Sequence, residues 1–386
     1  MNNFMYANPT EIIFGQGMIE KLKDVVPKAA RVLMIYGGGS ILRNGVYDQV
    51  KAALSSEHTV IEFAGIEPNP HYETCLQAVT CIREQKIDFL LAVGGGSVLD
   101  ATKFIAAAAC YTGDDPWQIL LDGGSSITQA LPFGAVMTLP ATGSEMNDGG
   151  VITRAATQEK LSFTSPHTFP AFSVLDPLTT YTLPTRQLAN GLVDAFIHVM
   201  EQYLTDQHQA LVQDYMAEAV VKVLIETSEA IIHQAPEYNS RANFMWAATW
   251  ALNGWIGVGV PNDWATHAIG HELTALYGLD HAQTLAIVLP GVMVMEKAHK
   301  ARKIMQLGRN VFGIDAIDDD ALITQTIAAV EAWFHSVGMK TRLSDYQLDA
   351  TAIDAICARF AERGWQLGEH RSIDAKCVRE ILTLRL

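Results

Sequence analysis

Short apolar runs alternate with amphipathic segments along the first half of the chain. The runs RVLMIY (31–36), DFLLAV (88–93) and GAVMTLP each precede a glycine-rich or polar turn, and the stretches between them place apolar residues at helical intervals. Strands that are apolar throughout, separated by helices of about 12 residues, are typical of a parallel sheet covered on both faces. We therefore predict an α/β domain over residues 1–181.

The pattern changes near residue 182. The segment TLPTRQLANGLVDAFIHVMEQYL keeps a helical period along its length, and Pro184 stands where a helix start tolerates proline. From there to Leu386 the chain reads as helices joined by short polar turns, with few strand candidates. The sequence predicts an all-helical second domain over residues 182–386.

The tetrapeptide GGGS follows two of the apolar runs. Free backbone N–H groups and the positive end of a helix dipole favour an anion there, and glycine lets a phosphate approach the backbone closely. Neither turn is GxGxxG, and a single glycine turn can serve the chain reversal alone. Two such turns in one sheet favour a nucleotide site, and the candidate residues are Gly37, Gly38, Gly39, Ser40, Gly94, Gly95, Gly96 and Ser97.

The first of these turns also bears on the choice between NAD and NADP. Enzymes that prefer NAD place a carboxylate against the adenosine ribose, where it would repel a 2′-phosphate, and YGGGS offers none. We expect Arg43 in the first turn of the next helix, where a cation opposes the helix dipole. It can face a phosphate there, or simply point into solvent. The turn favours NADP.

Hydroxyl and amide groups crowd the segment TLPATGSEMNDGG (138–150), directly after a predicted strand. They could bind phosphate, ribose or carboxamide, or they could only cap a loop. Lys160 could reach the same ligand or be one more exposed lysine. The candidates in the segment itself are Thr138, Thr142, Ser144 and Asn147.

Asp194 and His198 are a candidate pair of metal ligands. They are four residues apart in a helical segment, so both project from one face. A carboxylate with imidazoles suits Zn²⁺ or Fe²⁺ better than Ca²⁺ or Mg²⁺, which prefer oxygen ligands.

A second group of histidines follows at His267, His271 and His281, where one helix is expected to end at Gly278 and another to begin after it. His271 lies one turn after His267 and could equally be a ligand. Each histidine could instead be an ordinary hydrogen-bonded residue. Spacing alone leaves these readings open.

Composition, net charge and cysteine content limit the class of protein and the partners that it can have. The 386 residues are 49% hydrophobic and 18% charged, which is typical of a globular protein of two domains. A net charge of −15 argues against nucleic acid or an anionic membrane as partner. The five cysteines have no CxxC spacing, and we find no signal peptide or membrane-spanning run, so we expect reduced thiols in a cytoplasmic protein.

Taken together, several motifs resemble the iron-activated, group III alcohol dehydrogenases. FGQG, PNP, GGGSVLDATK, TLPATGSE, the Asp-x-x-x-His pair and the two later histidines occur in the order of that family and span essentially the whole chain. The likeness is strongest to its NADPH-dependent aldehyde reductases, or butanol dehydrogenases. The resemblance implies a dehydroquinate-synthase-like fold, in which a Rossmann-like α/β nucleotide domain is followed by an all-α metal domain, and it implies a homodimer.

The resemblance also implies roles for individual residues. It makes Asp194, His198, His267 and His281 the metal ligands, and it leaves His271 as a non-ligand near the nicotinamide and substrate, a candidate catalytic residue. For the cofactor it implies both GGGS turns, Asn69, Asp100, Thr138, Thr142, Asn147 and Lys160. Asp100 and Lys103 lie three residues apart and could form only a pair along the helix.

Two departures from the family pattern concern the cofactor and the metal. Many members have a carboxylate in the first turn, where this chain has glycine, which agrees with NADP. The last ligand is usually followed by glycine, whereas here it is His281-Ala282. The resident metal stays open between iron and zinc.

The function implied is hydride transfer from NADPH to short-chain aldehydes, reversible as primary alcohol oxidation, with the metal as Lewis acid. Trp250, Trp255 and Trp264 are candidates for an apolar substrate pocket or for core packing. The alternatives are an NAD-dependent polyol dehydrogenase or a cyclase of the same fold, a metal-dependent hydrolase, and a non-catalytic metal-binding protein. The cyclase would need a basic cluster for a phosphorylated substrate, and a hydrolase has no need of two glycine turns.

Overall fold

The computed structural model describes residues 1–54, 57–205 and 210–386. The chain forms two compact units. The helical unit comprises Met1–Tyr6, Thr185–Ala235 and Trp250–Leu386. The sheet unit comprises Ala7–Pro184 and Pro236–Thr249. The division into domains at residues 181 and 182 stays a prediction.

Among the described residues of the sheet unit, eight strands form two sheets. They are β1 (Glu11–Phe14), β2 (Arg31–Tyr36), β3 (Thr59–Phe63), β4 (Phe89–Gly95), β5 (Phe133–Leu139), β6 (Gly149–Arg154), β7 (Glu159–Thr164) and β8 (Phe172–Leu175). Six of them pair in parallel in the order β1-β8-β5-β4-β2-β3, while β6 and β7 form an antiparallel pair. The predicted parallel sheet is confirmed.

Apolar side chains cover both faces of the large sheet. Along β2, Leu33 belongs to one buried cluster and Met34 to another, as the alternation of side chains in a strand requires. Residues 32–36 of β2 are all buried, which explains why this part of the strand is a continuous apolar run. The helices of this unit are α1 (Leu22–Val25), α2 (Val46–Leu54), α3 (Tyr72–Gln85), α4 (Gly96–Cys110) and α5 (Gln118–Leu121), together with most of the later helix α8 (Tyr238–Ala251).

The helical unit confirms the predicted change of pattern. Its helices are α6 (Thr185–Tyr203), α7 (Leu211–His233), the end of α8 (Tyr238–Ala251), α9 (Ala265–Tyr277), α10 (His281–Met295), α11 (Lys297–Asn310), α12 (Asp319–Ser336), α13 (Ala350–Arg363) and α14 (Ala375–Thr383). No helix within the described residues is both long and apolar enough to cross a membrane.

Three of these helices are packed together and carry the metal candidates. α10 packs against both α6 and α9. The break between α9 and α10 lies where the sequence predicts it, because Gly278 ends α9 in the left-handed conformation at φ 69°. Asp280 then caps α10 in a reciprocal capping box with Gln283. His281 is therefore the first residue of a well-defined helix.

Candidate active site

Four side chains from three helices meet in the helical unit. α6 supplies Asp194 and His198, α9 supplies His267, and α10 begins with His281. One ligand atom from each lies within 4.8 Å of the others. Nε2 of His198 and Nε2 of His281 are each 3.6 Å from Oδ1 of Asp194. We call these four residues the ligand cluster.

The ligand cluster has the chemistry of a cation site. Asp194 and His198 are each 4% exposed, and His267 is 7% exposed. Oδ1 of Asp194 is buried, and no residue in the described part of the chain donates a hydrogen bond to it. A buried carboxylate oxygen without a donor is costly unless a cation compensates it. One carboxylate oxygen and three imidazole nitrogens suit zinc or iron.

Glu201 holds one of the imidazoles in place. Its Oε1 accepts the backbone N–H of His267 at 2.9 Å and lies 3.0 Å from Nδ1 of the same residue. This pairing leaves Nε2 of His267 as the ring nitrogen available to a metal. Burial, followed by the nearby Asp263 carboxylate, raises the pKa of Glu201 to about 8. A cation on the neighbouring imidazoles would favour the ionised form.

His271 lies beside the ligand cluster but is not one of its four members. Its ring centroid is 5.5 Å from that of His281 and 6.4 Å from that of His267. The side chain is partly exposed, in contrast to the buried His267. The structure therefore brings together the four residues that the resemblance implies, with His271 next to them.

The predicted nucleotide residues lie in the sheet unit. In the first glycine turn, a Cβ on Gly37 would come within 3.1 Å of the carbonyl oxygen of Ile66, and Gly39 has φ +83°. These two glycines are thus explained by the path of the chain. Gly38 is exposed, and a Cβ there would meet nothing within 4 Å, so this position is open to a ligand.

The sequence predicts Arg43 in the first turn of a helix, but the structure places it elsewhere. Ser40 begins a short 3-10 turn that ends at Leu42, and Arg43 follows it with its N–H donating to the carbonyl of Ser40. Gly45, at φ +81°, separates this turn from α2. The prediction that the Arg43 cation opposes the dipole of a helix at its first turn is therefore wrong. The exposed side chain remains a predicted cofactor contact.

The second glycine turn is shorter than predicted. β4 continues through Gly94 and Gly95, and α4 starts at Gly96. A Cβ on Gly94 would come within 2.5 Å of the Val98 side chain, and one on Gly96 within 2.5 Å of Thr142. The glycines let α4 start directly against the strand end.

Three predicted cofactor residues from separate elements converge at this strand end. Asn69, at φ +57°, donates its backbone N–H to Oγ of Ser97 at 3.3 Å. Lys160 on β7 donates from Nζ to Oδ1 of Asn69 at 2.8 Å. Lys160 is only 7% exposed, so the reading of it as one more exposed lysine is wrong.

Asp100 supports the loop after β5. Its Oδ1 accepts the Ser144 hydroxyl at 2.8 Å, and its Oδ2 accepts the N–H of Val151 at 3.1 Å. Burial raises the pKa of the Asp100 carboxyl. Both oxygens have protein donors, so the structure gives Asp100 a role in the loop; its contact with a cofactor stays a prediction.

Lys103 supports the same loop from the next turn of α4. It is fully buried, and its Nζ donates to Oδ1 of Asn147 and to the carbonyl of Gly149, each at 2.7 Å. Burial lowers the pKa of Lys103 to about 8. Asp100 and Lys103 therefore do more than form a pair with each other along the helix, because each also hydrogen-bonds to the loop.

The remaining candidates of this loop are partly buried around the same strand end. Thr138 lies near the end of β5 and is 7% exposed. Thr142 accepts the N–H of Ser144 on its hydroxyl at 3.2 Å, and its carbonyl accepts the Asn147 amide at 3.3 Å. The loop is ordered by its own hydrogen bonds, as a capped loop would be, and its contact with a ligand stays a prediction.

A parallel sheet with glycines at its strand ends, together with helices that carry a carboxylate–imidazole cluster, has the features of a nucleotide- and metal-dependent oxidoreductase. The profile described as iron-containing alcohol dehydrogenase matches residues 9–177. The profile of the C-terminal part of the Fe-containing alcohol dehydrogenases matches residues 188–385. The chain belongs to the iron-containing alcohol dehydrogenase family.

Individual relatives are similar over their full length. The NADPH-dependent aldehyde reductase YqhD of Escherichia coli K12 is 53% identical over 383 residues, which are 99% of each chain. The NADP-dependent alcohol dehydrogenase 3 of Entamoeba histolytica is 44% identical over 388 residues, covering 99% of this chain and 98% of the relative. The crystal structure of E. coli K-12 YqhD superimposes with a TM-score of 0.98 at 52% identity, covering 100% of this chain and 99% of that one.

Proposed function

We propose that this protein is a metal-dependent aldehyde reductase that transfers hydride from NADPH to short-chain aldehydes and, in reverse, oxidises primary alcohols. The observation that carries the proposal is the convergence of the ligand cluster, with its ligand atoms within 4.8 Å of one another. The 53% identical relative named an NADPH-dependent aldehyde reductase supports the choice of reaction.

The four residues of the ligand cluster would hold one zinc or iron ion. When bound, that ion supplies Lewis-acid polarisation of the substrate carbonyl and stabilises the developing negative charge. Glu201 keeps the imidazole of His267 oriented with Nε2 available. The burial of Asp194, His198 and His267 excludes water from most of the cluster and strengthens its electrostatic interactions.

NADP(H) would bind in the sheet unit. The open position at Gly38 and the backbone N–H groups at the start of α4 suit phosphate groups. A hydrogen-bonded group lies beside the start of α4, where β4 ends, and it is formed by Lys160, Asn69 and Ser97. The first turn has no carboxylate to repel a 2′-phosphate, which supports NADP over NAD. The other proposed contacts are Gly37, Gly39, Ser40, Arg43, Gly94, Gly95, Gly96, Asp100, Thr138, Thr142 and Asn147.

His271 would serve as the proton-handling residue. Its partly exposed imidazole lies beside two rings of the ligand cluster without joining it. Histidine is a common general acid and base, so His271 can give a proton to the substrate oxygen during reduction and accept one during oxidation.

Assembly and location complete the proposal. We infer a homodimer, as the family resemblance implies, and residence in the cytoplasm. Light scattering after size-exclusion chromatography tests the first, and cell fractionation tests the second. A monomer at working concentration would contradict the first.

One experiment tests the reaction and the site together. We expect the zinc- or iron-loaded protein to oxidise NADPH in the presence of butanal, and to do so much more slowly with NADH. His267→Ala should lose the metal and the activity while it still binds NADPH. The matched control His233→Ala, at a half-exposed position on α7, should keep both. Turnover by a metal-free His267→Ala protein would refute the site.

A further inference from the structure

Trp264 has a backbone conformation that a bulky side chain rarely adopts. Its φ and ψ are 59° and 11°, in the left-handed region. In this region the Cβ of an L-residue crowds the following carbonyl oxygen. Glycine and asparagine are therefore usual there, and a bulky aromatic residue is a true outlier. Such strain persists only where the surroundings fix it, and it is concentrated at functional sites.

The residue before Trp264 is firmly held. Asp263 donates its backbone N–H to the carbonyl of Glu201 at 2.9 Å, and its Oδ2 accepts from Nζ of Lys300 at 2.7 Å. Asp263 and Lys300 form a buried pair, with side chains 4% and 3% exposed. Oδ1 of Asp263 also accepts the N–H of Ala265 at 3.0 Å. The chain on both sides of Trp264 is thereby fixed, and the tryptophan joins the two ends.

Capping of α9 does not explain the choice of tryptophan. Trp264 is the N-cap residue of α9, yet its side chain makes no capping hydrogen bond. Serine, threonine, aspartate and asparagine are the preferred N-cap residues, and glycine would fit the left-handed conformation without strain. Two local preferences therefore disfavour tryptophan here. The reason for tryptophan at this position must therefore lie in the contacts of its indole ring.

The indole lies against the rings of the ligand cluster. Its centroid is 5.3 Å from the His267 ring at an interplanar angle of 74°, and 6.5 Å from the His198 ring at 61°. Those two imidazoles stack on each other at 4.8 Å. The imidazoles are buried, whereas Trp264 is partly exposed. The indole thus offers a large apolar surface directly beside the place where a substrate oxygen would bind.

We propose that Trp264 is a specificity-determining residue, whose indole forms an apolar wall against which the alkyl chain of the aldehyde packs. The inference rests on the proposed function, because it takes the substrate oxygen to be held at the ligand cluster. The backbone strain then has a purpose, since it aims the indole across His198 and His267. The size of the ring limits the bulk that fits beside the oxygen, which favours short unbranched chains.

Substitution of Trp264 tests this through a ratio of rates. One methylene in an apolar pocket changes kcat/KM by about 10- to 200-fold. We expect Trp264→Phe and Trp264→Gly to lower kcat/KM for butanal and to raise kcat/KM for 3-methylbutanal relative to butanal by about 10-fold or more, with the glycine variant shifting further. The matched control is Trp365→Phe, since Trp365 packs on Phe360 in the same unit. An equal loss for every aldehyde, or a ratio equal to that of the control, would overturn the proposal.

A binding measurement separates this inference from the proposed reaction. The cobalt-loaded protein, without nucleotide, is titrated with 1-butanol and with 3-methyl-1-butanol while the cobalt absorption is followed. Trp264→Gly should shift the ratio of the two Kd values in favour of the branched alcohol, with metal content unchanged. A wild-type protein that binds the alcohols but does not reduce aldehydes would refute the reaction alone. An unchanged Kd ratio in Trp264→Gly would refute the role of the indole.

Discussion

Glu201 lies on α6 together with two residues of the ligand cluster and holds the imidazole of a third, His267. It follows Asp194 and His198 on α6 at the spacing i, i+4, i+7, so all three lie on one helical face. The i, i+4 spacing predicts Asp194 and His198 as ligands and does not show the role of Glu201. Its partner, His267, is 66 residues further along the chain, so no local motif joins them. The helical face was the only signal available.

Glu201→Gln tests the support of His267. The amide keeps the size of the side chain but weakens the acceptor for Nδ1 of His267. Loss of a partner that orients a ligating histidine typically reduces metal affinity about 10- to 100-fold. We expect a reduction of that size in chelator competition with Zn²⁺, while NADPH affinity stays unchanged.

The control for this change is Glu229→Gln on α7, where the carboxylate is 75% exposed. It should leave metal affinity as in the wild type. Equal affinities in all three proteins would mean that the Glu201–His267 hydrogen bonds contribute nothing to the site.

Glu145 gives a residue-scale prediction about pH. It is fully buried in the sheet unit, and Oε1 accepts the Thr249 hydroxyl at 2.5 Å. No residue in the described ranges donates to Oε2, and burial raises the pKa of the carboxyl above its usual value. The protonated form is therefore favoured on folding. Its contribution to stability is present at low pH and is lost as pH rises through the folded pKa.

Glu145→Gln removes that ionisation. As the pH rises above the ordinary pKa of a glutamate, about 4.3, the wild type should lose more of its free energy of unfolding than the variant does. Thermal unfolding as a function of pH measures the difference. Glu73→Gln, at an exposed position of the sheet unit, should follow the wild-type curve. Parallel curves for Glu145→Gln and the wild type would contradict the prediction.

At the scale of elements, strongly patterned segments were predictable, but not all of their ends were. β2 coincides with the apolar run 31–36, because a fully buried strand leaves a continuous apolar signal. β4, in contrast, continues past the predicted end, since Gly94 and Gly95 pair with Met137 and Leu139 of β5. Glycine disfavours strands locally, but here the hydrogen bonds to β5 keep both glycines in the strand, and those bonds form only in the folded sheet.

Some residues of the candidate site could likewise be predicted from the sequence, and others could not. Asp194 and His198 were predictable from local helical spacing, and the resemblance supplied the two later histidines. The roles of Asp100 and Lys103 were not predictable, because their partners come from a loop whose path depends on the sheet. Side-chain orientation across elements is set by packing, and sequence periodicity does not encode it.

The N-terminus of α10 offers an element-scale test. Asp280 caps this helix, accepts from the Asn190 amide at 2.9 Å, and immediately precedes His281. Asp280→Ala should cost about 1 kcal/mol of unfolding free energy, as loss of a cap usually does. It should also weaken metal binding, because the position of His281 depends on the first turn of α10. Denaturant unfolding and chelator competition measure the two effects.

The control is another aspartate cap in the same unit. Asp318 caps α12 through the N–H of Ala321, and it carries no metal candidate. Asp318→Ala should cost a similar amount of stability and leave metal affinity unchanged. If both variants bind metal as the wild type does, the cap does not position His281.

At the scale of the whole molecule, a cation bound by the ligand cluster would act as a cross-link between helices. Its residues come from three helices, and the cluster exists only in the folded state. A ligand that binds only the folded state stabilises it by RT ln(1 + [L]/Kd), about 4 kcal/mol at 1,000 times Kd. The net charge of −15 attracts cations in general, so Mg²⁺ is needed as a comparison.

Metal removal should therefore lower the unfolding temperature, and Zn²⁺ or Fe²⁺ should restore it, whereas Mg²⁺ should not, because it prefers oxygen ligands. His198→Ala should abolish the shift caused by Zn²⁺ and keep the shift caused by NADPH, whose proposed contacts all lie in the sheet unit. His233→Ala serves as the control, since its ring is half-exposed on α7 and outside the ligand cluster. Differential scanning calorimetry with each ligand measures the shifts. A zinc-induced shift of wild-type size in His198→Ala would mean that the stabilising ion binds elsewhere, and the ligand cluster would lose its assignment.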